Sequence, residues 1–123
     1  MRSKPVVGDQ PQTPINDKLF LKANGLFTRI KLCDLMYIEA DGSYTVFHTI
    51  EKQYVQSYNL FAVQNQLRQL PHRFFRVHRS FLVNMEHVTH FDKCHVVVAG
   101  KNIPIGKTYR DRFIECLKPW MVS

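Results

Sequence analysis

A mainly β domain with one firm helix is what this sequence predicts, on three observations. Short runs rich in Val, Ile, Phe and Tyr recur from residue 19 to residue 105, punctuated by Gly, Asn, Asp and Pro. Asn24-Gly25 sits between two of these runs and is the strongest short-range hairpin signal. One stretch, beginning at Leu60, repeats its apolar residues at helical spacing.

Residues 1–17, MRSKPVVGDQPQTPIND, carry three Pro and no period, and read as a linker or tail, such as the end of a connector from an upstream domain. The folded unit is expected over 18–119, with a C-terminal tail at 120–123. Leu19 to Ala23 precedes the Asn24-Gly25 turn. Phe27 to Leu32 then alternates, with Phe27, Arg29 and Lys31 on one side and Thr28, Ile30 and Leu32 on the other. Leu35 to Ala40 is a mostly apolar run, Asp41-Gly42-Ser43 is turn chemistry, and Tyr44 to Ile50 is the next strand. Glu51-Lys52 makes a tight turn into Gln53 to Gln56.

The helix is expected over 59–70. Ser57 or Asn59 can cap it. Leu60, Val63, Leu67 and Leu70 form its apolar stripe, with Gln64, Asn65, Arg68 and Gln69 on the wet face, and Pro71 forbids continuation. Such a helix packs as a lid on a sheet. Phe74 to Asn84 follows, then His87 to Phe91, a turn at Asp92-Lys93, Cys94 to Val98, a turn over Ala99 to Asn102, and Ile103-Pro104-Ile105. Pro104 donates no ladder hydrogen bond, so this last strand is expected to lie at an edge or to end early. Gly106 releases the chain, and Tyr109, Phe113, Ile114 and Leu117 suit a final short helix over Tyr109 to Lys118.

Composition narrows the function. The 123 residues carry 17 Lys and Arg against 10 Asp and Glu, a net +7. Between Arg68 and Arg112 there are nine Lys or Arg and three acidic residues, so most of the excess lies in the second half, with five of the six His. A basic surface attracts phosphate backbones by counterion release. Cys33, Cys94 and Cys116 are odd in number and form no C-x-x-C pair, so a reducing, cytoplasmic compartment is expected. No apolar run is long enough to span a membrane, and residues 1–12 lack the apolar core of a secretory signal.

Catalytic signatures are lacking. There is no G-x-S-x-G, P-loop or G-x-G-x-x-G, and the carboxylates are dispersed, so neither an enzyme nor a cofactor is expected. Cys94 adjoins His95, but neighbouring strand residues point to opposite faces. His87, His90, Cys94 and His95 are zinc-type ligands. On a strand, however, the three-residue spacing of His87 and His90 divides them between faces, and no metal site is expected.

The stretch from Arg76 to Ser80, RVHRS, is more informative. Arg76, His78 and Ser80 share one face of an extended segment, and Val77 and Arg79 the other. Val77 beside Arg79 is ill-suited to a buried face and fits a loop or bulge that re-aims Arg79 outward. Arg can read guanine N7 and O6 bidentately, while His and Ser suit phosphate oxygens.

Four ordered landmarks then resemble the LytTR family, the DNA-binding output domains of bacterial response regulators. These are LMYIEADGSY (35–44), the Leu-bearing helix of 57–70, FFRVHRSFLVN (74–84) and IPIGKTY (103–109). The resemblance covers Leu19 to Leu117. It implies about ten strands in three small antiparallel sheets with a short helix. It also implies loops that enter successive major grooves, binding to double-stranded DNA at paired repeats, and hence DNA-dependent homodimers.

Carried over by motif, base contacts fall on Tyr44, Arg79 and Lys107, and phosphate contacts on Ser43, Arg76, His78, Ser80, Lys101 and Arg110. Lys107 stands where the family commonly has Arg and lacks its planar fork. Gly106, where Ser is common, is expected to loosen the loop before Lys107. Asn84 is expected to hold a turn through backbone hydrogen bonds rather than to touch DNA. With no phospho-acceptor receiver in the sequence, the chain reads as an excised output domain or a stand-alone regulator. The alternatives are a basic protein-interaction module with an acidic partner, or an RNA-binding domain, for which exposed aromatics near the basic motif would be the sign.

Overall fold

In the computed structural model, residues 18–69 and 73–122 are described; the linker expected over 1–17, and Leu70 and Pro71 of the helix terminus, lie outside them. Among the described residues, ten strands form three antiparallel sheets. The first is a hairpin of β1 (Lys18–Ala23) and β2 (Leu26–Lys31). Its turn places Asn24 at φ 53° and Gly25 at φ 80°. Both central residues therefore take the positive φ that a two-residue hairpin turn of the primed type needs. In β2 the expected alternation holds: Ile30 is buried and Phe27, Arg29 and Lys31 are exposed.

The central sheet has five strands in the order β5-β4-β3-β7-β6. They are β3 (Leu35–Asp41), β4 (Tyr44–Thr49), β5 (Gln53–Gln56), β6 (Phe74–His78) and β7 (Phe81–Asn84). The third sheet runs β10-β9-β8, from β8 (Val88–Phe91), β9 (His95–Val98) and β10 (Lys101–Pro104). Pro104 thus lies on an edge strand, where its missing donor removes no ladder bond. The turn expected over Ala99 to Asn102 contracts to Ala99-Gly100, at φ 50° and 80°, and Lys101 and Asn102 join β10.

Helix α1 spans Leu60–Gln66 and tightens into a 3-10 turn over Leu67–Gln69. Of the two candidate caps, Asn59 is the one used, its side chain accepting from the Ala62 amide at 2.8 Å. Helix α2 spans Lys107–Leu117, two residues earlier than its apolar spacing indicates, and ends in a 3-10 turn over Lys118–Trp120.

The central sheet separates two cores. On one side Ile38, Phe47, Phe74 and Leu82 pack with Leu21 and Ile30 of the hairpin and Leu60, Val63 and Leu67 of α1 and its turn. On the other, Tyr37, Val77 and Val83 pack with Val96, Val98 and Ile103 of the third sheet and Phe113 and Leu117 of α2. Neighbours such as Leu82 and Val83 serve opposite cores because strand side chains alternate. Phe113, 1% exposed, makes edge-on contacts with Phe75 and Phe91, their ring centroids 6.4 and 5.5 Å away. Truncating such a ring costs about 3–5 kcal/mol, a large part of a domain's ~5–15 kcal/mol, so Phe113 fixes where α2 sits.

Asn84 sits at 0% exposure where β7 ends. Its Nδ2 donates to the Leu35 carbonyl at 2.7 Å and to that of Leu32 at 3.3 Å, and its Oδ1 accepts from the Glu86 amide at 3.0 Å. This is the backbone-holding role its residue type suggests. Gln56 stitches the first hairpin to the central sheet in a similar way: its side chain accepts from the Lys22 amide at 3.0 Å and donates to the Lys22 carbonyl at 2.8 Å. Among the described residues no helix is long and apolar enough to cross a membrane.

Candidate nucleic-acid interface

Three connections meet at one end of the central sheet, and strand pairing brings them there. Asp41 pairs with Tyr44, closing β3 to β4 through Gly42 and Ser43, with Gly42 at φ 62°. Ser43 is exposed and Tyr44 is 51% exposed, so its phenol is open to solvent.

Because β3 also pairs antiparallel with β7, Glu39 faces Phe81 and the Ala40 amide donates to the Ser80 carbonyl at 2.8 Å. The Arg79–Ser80 turn therefore sits beside the end of β3. The single run expected over Phe74 to Asn84 is a hairpin, with a register slip between Arg76 and His78. That irregularity sends Arg79 outward, and its side chain is exposed. The Ser80 amide donates to His78 Nδ1 at 3.0 Å. In the neutral ring this assigns the proton to Nε2, which is then a donor.

The third connection enters from β10. The Gly106 amide donates to the Val77 carbonyl at 2.8 Å, which seats the start of α2 on β6. Gly106 does not loosen this segment. It has an ordinary φ of −70° as the cap of α2, and a Cβ there would stand 3.2 Å from the Tyr109 ring and 3.6 Å from the His78 ring. The absent side chain serves close approach rather than flexibility. Lys107 is consequently the first residue of α2, exposed, at the end where helix dipoles place positive partial charge. Thr108, which the sequence motifs do not single out, is exposed beside it.

The remaining candidates divide. Arg110 is half-buried one turn along α2, and its Nε is shielded from solvent with no hydrogen-bond partner among the described residues. Lys101 is exposed at the far end of β10, roughly 16 Å of extended chain from Gly106 at ~3.3 Å per residue, and does not join the three connections. Arg76 is half-buried and turned into the protein: Nε donates to the His78 carbonyl at 2.8 Å, Nη2 to that of Arg79 at 2.6 Å, and Nη1 to Gln64 Oε1 at 2.7 Å. Gln64 and Tyr109, both partners of Arg76, escape sequence reasoning because only long-range packing brings them there.

Among the described residues the ion pairs are His48–Glu39, Arg73–Glu86 and Lys118–Glu115, and none involves Arg79, Lys101, Lys107 or Arg110. Phe74 is buried and Phe75 and Phe81 half-buried, so the rings flanking the basic turn pack inward. Among the described residues no three His, Cys, Asp or Glu side chains are grouped to hold a metal. His87 instead places Nε2 2.6 Å from the Cys33 carbonyl oxygen.

The model of the LytTr DNA-binding domain family matches residues 26–118. The chain belongs to that family. The matched stretch runs from β2 through α2 and so contains all three connections of this LytTr domain. The sensory transduction protein LytT of Bacillus cereus and that of Bacillus anthracis are each 29% identical to it over 107 residues, 82% of this chain and 43% of the relative. The chain thus spans less than half the length of these relatives. A solved LytTr DNA-binding domain from Bacillus cereus superposes with a TM-score of 0.70 at 23% identity, covering 83% of this chain and 97% of that one. The two share a fold.

Proposed function

We propose that this LytTr domain binds double-stranded DNA sequence-specifically, as the transcription-regulating output domain of a response regulator, through loops that enter the major groove. The observation that carries the reading is the meeting of the β3–β4, β6–β7 and β10–α2 connections at one sheet end, with exposed Arg79 and Lys107 in no ion pair among the described residues. A B-DNA major groove is ~12 Å wide and admits such projections.

Base contacts are assigned to Arg79, whose fork matches guanine O6 and N7, to Lys107 as a single-point donor, and to the Tyr44 hydroxyl. Ser43, Ser80 and His78, through Nε2–H, contact phosphates beside them, with Arg110 and the more distant Lys101 reaching flanking backbone. The B. cereus and B. anthracis relatives are named as sensory transduction proteins, and their additional length leaves room for a signal-receiving domain. Two copies on paired repeats, dimerising with DNA, would double the contact surface. No catalytic role is assigned.

Binding to random duplex across a salt series tests the reading. Affinity should fall with a log–log slope of about −0.9 for each phosphate neutralised. An absence of duplex binding at low salt would leave a protein-interaction module, and preference for single-stranded RNA would leave the RNA-binding alternative.

A further inference from the structure

We propose that Arg76 is a positioning residue: it locks the Arg79–Ser80 turn in the shape that presents Arg79, and so sets sequence discrimination without itself touching DNA. This rests on the reading of that turn as a DNA-reading loop.

The geometry is specific to a guanidinium. Past the register slip between Arg76 and His78 the β6–β7 ladder ends on the His78–Phe81 pair. One planar group spans the turn that this pair closes, donating from Nε to the His78 carbonyl at 2.8 Å and from Nη2 to the Arg79 carbonyl at 2.6 Å. Its third arm, Nη1, bonds Gln64 Oε1 on α1 at 2.7 Å, and its Cζ lies 5.8 Å from the centroid of the Tyr109 ring on α2. Both helices thus brace the same side chain.

The rest of the turn is held as well. The Ser80 amide donates to His78 Nδ1 and the Ser80 carbonyl accepts from the Ala40 amide. The backbone is fixed on both sides of Arg79 while its side chain stays exposed. Holding a contact residue in its bound shape lowers the ordering cost of binding. A lysine ammonium is a single point and cannot span two carbonyls and Gln64 with fork geometry.

Three variants test this: Arg76→Met, Arg76→Lys and Gln64→Ala. In the free protein, hydrogen exchange at the Ala40 amide, whose partner is the turn, should quicken in both Arg76 variants more than exchange at the core amide of Val83. With DNA, the affinity ratio between a selected and a scrambled duplex should fall by roughly 5- to 150-fold in both, the worth of a misaligned bidentate base contact. The salt slope should not change in Arg76→Met. Gln64→Ala, which removes one brace only, should show a smaller fall in the ratio with a near wild-type unfolding midpoint.

A slope shallower by about 0.9 in Arg76→Met, with affinity restored in Arg76→Lys, would make Arg76 a phosphate contact and overturn the proposal. An unchanged duplex ratio, or unchanged Ala40 exchange, would overturn it too. Should the wild type bind no duplex, the DNA reading fails separately and Ala40 exchange still decides the positioning role.

Discussion

Replacing Asn84 by Ala is expected to destabilise the domain by about 2–5 kcal/mol. The side chain is fully enclosed and makes two short hydrogen bonds, 2.7 Å to the Leu35 carbonyl and 3.0 Å from the Glu86 amide, with a longer one to Leu32. Each good bond contributes about 1 kcal/mol net, and a buried carbonyl left without its donor costs about 1–3 kcal/mol more. Near 100 residues, each 1 kcal/mol moves the midpoint by roughly 4–8 °C, so thermal unfolding followed by circular dichroism should show a drop of about 8–40 °C. Because Asn84 anchors the chain between β2 and β3 and touches no ligand, the folded variant should keep the wild-type salt slope on duplex DNA. A loss under ~0.5 kcal/mol, the range of an ordinary surface change, would refute the reasoning. So would full stability with altered DNA binding.

Three further outcomes are expected. Arg79→Ala should weaken binding to a selected duplex by ~1–3 kcal/mol and relax one base position; equal weakening on scrambled duplex would remove its base-reading role. Lys101→Ala should weaken all duplexes alike and reduce the salt slope by about one, and an unchanged slope would take Lys101 off the phosphate list. The amides of Cys94 and His95 hold the Asp92 carboxyl below its ordinary value. Its ionised form therefore favours the folded state above that ordinary value, and the contribution disappears as the pH falls through the lowered one. Asp92→Asn should be less stable than wild type near neutral pH and approach it on acidification; a constant difference across the acid limb of urea unfolding would contradict this.

Local chemistry made much of the fold legible. Asn24-Gly25 specifies a hairpin because few residues accept positive φ, and Pro104 can occupy only a sheet edge or end. The α1 stripe shows because its one face is buried. The odd placement of Val77 beside Arg79 signalled a break, and a hairpin turn lies there. Less legible was anything set by pairing distant in sequence. The β3–β7 register that brings the Asp41–Tyr44 connection to the same sheet end as the Arg79–Ser80 turn, and the Gly106–Val77 bond that seats Lys107 there, leave no local pattern. Gly106 looked like slack in the chain, yet a Cβ there would stand 3.2 Å from the Tyr109 ring, with His78 in ordinary contact behind it. Residue type placed Arg76 with the outward cations, yet three acceptors in the fold turn it inward.

The most direct test is to follow backbone amide shifts while a duplex selected from a random pool is added. If the three connections form the DNA-facing surface, the largest changes fall on residues 41–44, 78–80 and 105–108, with little at the β1–β2 hairpin. Changes centred on β1, β2 and α1 instead, with those three segments silent, would contradict it.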